Sequence, residues 1–160
     1  MYPTKNDVSE GTRREMIELC NARLADAIDL QTQTKQAHWN VKGPHFIALH
    51  ELFDKVNEDV EAYVDLIAER AVQLGGTVDA TVRSVAARST LAQYPLNAVT
   101  GRQHVDALSS ALARFGRVIR AAIADSDRAG DADTNDIFIE ISRGVDKWLW
   151  MVEAHLVPEE

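Results

Sequence analysis

One cysteine, Cys20, stands in the whole chain of 160 residues, between Leu19 and Asn21 in a helical pattern. That excludes a disulfide framework and fits a small buried hydrophobe in a reducing compartment. No apolar run approaches the roughly eighteen residues of a membrane span, and residues 1–15 lack the hydrophobic stretch of a signal peptide. A cytoplasmic protein without a membrane partner is expected. Positive charge is also short: 17 Lys and Arg against 25 Asp and Glu leave a net −8. An electrostatic grip on nucleic acid cannot be read from this bulk composition, and cationic ligands, metal ions included, fit it better. The chain shows no β-type alternation, internal repeat or low-complexity segment.

What is present reads as helix. With 46% apolar and 26% charged residues, a single domain over 1–160 is expected, with residues 1–8 as a short tail. A helix is predicted from Ser9 to His38, with a capping-box candidate in Thr12 and Glu15 and apolar positions at Ile17, Cys20, Leu24, Ala27 and Ile28. Gly43-Pro44 punctuates the chain and places proline at the start of a second helix. Its apolar residues Leu49, Phe53, Val56, Val60, Tyr63, Ile67, Ala71 and Leu74 alternate spacings of four and three until Gly75-Gly76. Residues 77–99 are expected to form a connector with a small helix around Val78, Val82 and Val85. The spacing then predicts a helix over Val105, Leu108, Leu112, Phe115, Ile119 and Ala122. A loop Asp125–Asp133 and a last helix over Phe138, Ile141, Val145, Trp148 and Val152 follow. Short first and last connections make antiparallel hairpins, and the long middle one crosses the length of the bundle. The expected fold is therefore all-α, a ferritin-like four-helix bundle with a short extra helix in the crossover and no fifth C-terminal helix.

The second helix carries a polar stripe beside its apolar seam: His50, Asp54, Glu61, Asp65 and Glu69. Acidic residues on a helix face are ordinarily a solvated surface. Here the spacing argues otherwise, since His50/Asp54 and Asp65/Glu69 are both i,i+4 pairs that project two donors side by side. Asp54 and Asp65 lie about 16 Å apart along the axis, beyond the reach of one metal site. Positions 50 and 69, like 54 and 65, are symmetric about a point between residues 59 and 60. An antiparallel two-fold pairing of this helix with its own copy sets His50 against the partner's Glu69 and Asp54 against the partner's Asp65, twice per dimer. His38, at the end of the first helix, is folded back towards His50. A set of imidazoles and carboxylates without thiolate suits iron, manganese or zinc. No Glu-x-x-His pair occurs, which argues against a di-iron site built inside one subunit.

The segment from Lys35-Gln-Ala-His-Trp-Asn through Phe53-Asp54 resembles the signature of the Dps family, the DNA-binding proteins from starved cells, as does Ala68 to Gly76. The likeness runs from about Asn6 to Trp150 and beyond. It implies a mini-ferritin: a hollow dodecamer built from two-fold dimers that oxidises ferrous iron, preferably with hydrogen peroxide, stores the ferric product and limits oxidative damage. The family's intersubunit ferroxidase ligands fall on His38, His50 and Asp54 of one chain and on Asp65 and Glu69 of its partner. Zinc or manganese is a competitor for the same ligands. Trp39 would lie beside the iron, either intercepting radicals or packing an interface. Asp131, Asp133 and Asp136 match a family pore that draws in ferrous ions, and acids around Thr134 also suit a helix N-terminus. His45, His104 and His155 fall outside the symmetric pattern and are expected at the surface or in structural roles. Trp148 and Trp150 are expected to pack the core or an interface. The chain departs from DNA-binding members at its start, where Lys5 stands instead of a lysine-rich tail, and its end, Val157 to Glu160, is acidic. Direct DNA contact is therefore disfavoured. The alternative remains a non-enzymatic, nucleoid-associated protein that uses the same fold to bind DNA.

Overall fold

The computed structural model describes residues 1–157. Four long helices and one short one follow each other: α1 (Glu10–Asn40), α2 (Phe46–Gln73), α3 (Val82–Arg88), α4 (Gly101–Ala129) and α5 (Ala132–Glu153), with a single 3₁₀ turn Ala154–Leu156 after them. No fifth long helix follows α5 among the described residues. Every apolar position predicted for α2, α4 and α5 is buried. The seam of each helix thus faces the others, as an amphipathic bundle requires.

Three boundaries differ from the sequence reading. Helix α1 is capped by Ser9, whose hydroxyl accepts from the Thr12 amide at 3.2 Å, so Thr12 lies inside the first turn and the Thr12/Glu15 capping box does not form. The box that does form is Thr100 with Gln103, at the start of α4. Helix α2 starts two residues beyond Pro44, after a turn closed by the Phe46 amide on the Gly43 carbonyl at 3.1 Å. The loop expected over 125–133 shrinks to Gly130 and Asp131, because Gly130 takes a left-handed φ of 75° that ends α4, and Asp131 caps α5 at once.

α1 packs on α2 and α4, and α5 packs on α4 and α2. The start of α4 lies beside the α1–α2 turn, where the Gly101 amide donates to the Lys42 carbonyl at 3.2 Å. Since α2 leaves that turn and ends at the other end of the bundle, residues 74–100 must run its full length, as expected. Buried polar groups hold this crossover down. Asp26 of α1 accepts from the Thr90 amide at 2.6 Å, and Gln33 donates to the Ala92 carbonyl at 3.0 Å. At the far end the chain begins by crossing the end of α2: the Tyr2 amide donates to the Gly75 carbonyl at 2.7 Å. Gly75, at φ 85°, leaves no room there for a side chain. Residues 1–8 are therefore laid against the bundle at Tyr2 and again at Arg13, which donates to the carbonyls of Val8 and Leu74. Residues 158–160, with most of the acidic end noted above, lie outside the described residues.

Cys20 is buried, and burial pushes its thiol up to about 12. It stays a neutral hydrophobe at any physiological pH. No helix among the described residues is long and apolar enough to cross a membrane.

Candidate metal centre

The α1–α2 hairpin brings His38 and His50 into direct contact. Their rings stack with centroids 3.7 Å apart at 21°. Each ring is tied to the other residue's backbone, His38 Nδ1 to the His50 carbonyl at 2.8 Å and His50 Nδ1 to the His38 carbonyl at 2.9 Å. A carbonyl only accepts, so both Nδ1 atoms carry a proton, which leaves Nε2 as the nitrogen through which either neutral ring would coordinate. That is the tautomer a metal-binding imidazole needs, held by the kind of outer hydrogen bond that orients such ligands.

Asp54, one turn further along α2, lies on the Nδ1 side of His38: its carboxylate is 3.8 Å from His38 Nδ1 and 2.6 Å from Lys35 Nζ. The hydrogen bond from Lys35 holds the Asp54 carboxyl below its ordinary value, helped by the charges around it. Two imidazoles and one carboxylate are the mixed set that non-haem ferrous sites use. Within one chain they are not joined by Asp65 and Glu69, which are exposed on the distal half of α2. Among the described residues no three His, Cys, Asp or Glu side chains of a single chain converge as a metal group.

The exposed face of α2 adds a pair that the polar pattern did not include. Ile47 and Val72 are 62% and 56% exposed, and their positions are symmetric about the same midpoint between residues 59 and 60. Large apolar residues at both ends of a polar face are costly in water and favourable in a self-complementary contact. The signal was legible in the sequence, as apolar residues on the wrong side of an amphipathic helix.

Trp39 projects into solvent with 68% of its surface exposed, and Lys35 Nζ lies 5.9 Å from its ring. Trp148 is buried and donates its indole N–H to Asp59 at 2.7 Å, clamping α5 to α2, whereas Trp150 is exposed. Of the three aspartates read as a pore, Asp133 and Asp136 are exposed. Asp131 is buried, caps α5 through the Thr134 amide at 3.1 Å, and receives Arg70 at 2.8 and 3.0 Å. Burial alone would raise the Asp131 carboxyl, yet hydrogen bonds from Thr134 and Arg70 outweigh it and hold the carboxyl below its ordinary value. His104 is buried and His45 and His155 are exposed.

Helix order and crossover are those of a ferritin-like protein, and the model of the ferritin-like domain matches residues 17–158. A DNA protection during starvation protein of Agrobacterium fabrum is 45% identical over 155 residues, 97% of this chain and 96% of that protein. Another of that name, from Brevibacillus brevis, is 30% identical over 141 residues, 86% of this chain and 92% of that one. Among solved structures, Mycobacterium smegmatis Dps superposes with a TM-score of 0.92 at 29% identity, covering 98% of this chain and 95% of that one. Microbacterium arborescens Dps, in a high iron form, gives 0.86 at 33% identity, with 96% and 97% covered. The chain belongs to the Dps family of ferritin-like proteins.

Proposed function

We propose that this protein is a ferroxidase and iron store. It takes ferrous iron as substrate at sites shared by two-fold partners, with His38, His50 and Asp54 from one chain and Asp65 and Glu69 from the other. The observation that carries the reading is the arrangement along α2: two imidazoles locked with Nε2 available at one end, a carboxylate pair at the other, and one symmetry point relating them. Ile47 and Val72 support the same pairing. Two ferrous ions and one hydrogen peroxide, with two protons, give two ferric ions and two waters, so the reagents of hydroxyl-radical chemistry are consumed together. Carboxylates favour the harder ferric ion, which helps the electron leave. Lys35 holds Asp54 as a cation would, and incoming iron displaces its ammonium group. Zinc and manganese suit the same donors and compete for them. A dodecamer of two-fold dimers, storing the mineral in its interior, is the assembly proposed, and DNA is protected indirectly, in the cytoplasm.

Ferrous iron and peroxide added to the metal-free protein should produce ferric absorbance, and His50→Ala should slow it by at least about tenfold. Wild type and variant behaving alike would defeat the reading. Trp39 is proposed to intercept radicals beside the site. Trp39→Phe is then expected to raise the hydroxyl-radical yield of a spin trap, and an unchanged yield would assign the indole to packing alone.

Asp133 and Asp136 are proposed to draw ferrous ions towards a pore, with Asp131 as the structural residue beneath them. Replacing both exposed aspartates by asparagine should slow iron uptake several-fold at low ionic strength, and added salt should shrink the difference. Identical uptake at low salt would exclude them from the entry path.

A further inference from the structure

A buried tyrosine and histidine take no part in the proposed iron site, although the start of α4, which carries the histidine, is bonded to the α1–α2 turn through the Gly101 amide and the Lys42 carbonyl at 3.2 Å. Tyr94 comes from the crossover and His104 from the first turn of α4, and the phenol oxygen stands 2.6 Å from His104 Nδ1. Both are buried, at 7% and 1% exposure. His104 Nε2 has no hydrogen-bond partner among the described residues, and burial holds the imidazole below its ordinary value, with backbone groups of Asn40 and Ala98 opposing. In the tautomer protonated at Nε2, Nδ1 keeps its lone pair and the phenol donates to it. Asn40 is two residues beyond His38, which puts the dyad against the end of α1 that carries the first ligand.

We propose that Tyr94 and His104 form an internal one-electron donor that quenches the oxidant left when a single ferrous ion meets peroxide. The proposal rests on the ferroxidase reading. One ferrous ion supplies one electron, whereas peroxide needs two, so an unpaired encounter yields ferric iron, hydroxide and a hydroxyl radical. Tyr94 supplies the second electron. The electron passes from the phenol to the radical, which becomes hydroxide, while the phenol proton moves along the existing hydrogen bond to His104 Nδ1. The products are a neutral tyrosyl radical and an imidazolium. A phenol that loses an electron without its proton becomes a strongly acidic cation, and a base already at 2.6 Å removes that obstacle. The backbone groups of Asn40 and Ala98 favour the new cation. Burial shields the radical from solutes.

The merely structural alternative is that His104 only satisfies a buried hydroxyl. Electron paramagnetic resonance separates the two. Assembled protein carrying a few ferrous ions per particle is mixed with peroxide and frozen within milliseconds, with ferric absorbance recorded in parallel. A tyrosyl signal is expected, identified by its narrowing on ring deuteration of tyrosine. It should fall several-fold in Tyr94→Phe and in His104→Gln, which keeps a hydrogen-bond acceptor but not a proton acceptor, while ferric formation proceeds at the wild-type rate. Normal ferric formation with an undiminished signal in Tyr94→Phe would overturn the proposal and leave the ferroxidase reading standing. A second arm needs no iron: flash oxidation of the metal-free protein by a photoexcited ruthenium polypyridyl with a sacrificial acceptor. Tyrosyl yield should fall in both variants there as well. Equal yields in all three proteins would show that the dyad is not a preferred donor. If no ferric iron forms at all, the ferroxidase reading and the role proposed for the dyad fall together.

Discussion

Asp131→Ala is expected to lower the stability of the folded chain by about 3–5 kcal/mol, because it strands the Arg70 guanidinium in the interior. Arg70 is 5% exposed and Asp131 3% exposed, and the guanidinium spans from Thr134 Oγ1 at 2.9 Å to both Asp131 oxygens. The same substitution removes the cap of α5, a smaller loss of about 1 kcal/mol. Asp131→Asn keeps a capping oxygen and should cost less. Removing both charges, in Arg70→Met with Asp131→Leu, should restore much of what Asp131→Ala loses, since no buried charge is then left alone. The pH dependence has a definite sign. A carboxyl held below its ordinary value contributes stability above the unfolded value near 4, and the contribution is lost as pH falls through the folded value. The gap in thermal stability between wild type and Asp131→Asn should therefore narrow below about pH 4. A double variant as unstable as Asp131→Ala, or a gap that widens in acid, would contradict this account of the pair.

The second large effect tests how the metal centre is divided between chains. His50→Ala/Asp54→Ala and Asp65→Ala/Glu69→Ala should each lack peroxide-driven ferric formation. When the two proteins are dissociated and reassembled together with random pairing, half of the two-fold pairs are mixed. In each mixed pair one site carries all four substitutions and the other carries none. Recovery of about a quarter of the wild-type sites is expected from two inactive parents. A site contained in one chain predicts no recovery. A mixture as inactive as its parents, with mixed pairs demonstrated by mass spectrometry, would refute the shared centre.

Much of the fold was legible because amphipathic periodicity records burial directly. Every residue of the α2 seam from Leu49 to Leu74 is buried as the spacing predicted, and the punctuation at Gly75-Gly76 marks the end of that helix. Helix ends were less legible, since several residues compete to cap and only the backbone path decides. Ser9 caps α1 although Thr12 with Glu15 has the better motif, and the Thr100 and Gln103 box at α4 is masked by the polar residues of the crossover around it. Acids and glycine over 125–133 suggest irregular chain, whereas one left-handed glycine and a capping aspartate turn the corner in two residues.

By itself, the sequence determined an all-helical chain with four long amphipathic segments, a lone inert cysteine, a long crossover, and a helix whose donors are symmetric about one point. All of these follow from spacing along the chain, which the 3.6-residue repeat converts into faces. Only the tertiary structure decided what the isolated polar residues do. Asp131 sits among pore-like acids in sequence, and the fold buries it against Arg70, 61 positions away. His104 looked like a leftover histidine, and the crossover returns Tyr94 to within 2.6 Å of it. Which nitrogen of His38 and His50 is left for a metal depends on two carbonyls that only the hairpin places opposite them. A pattern along one helix reports which face a residue occupies, but a hydrogen-bond partner comes from elsewhere in the chain and has no spacing to announce it.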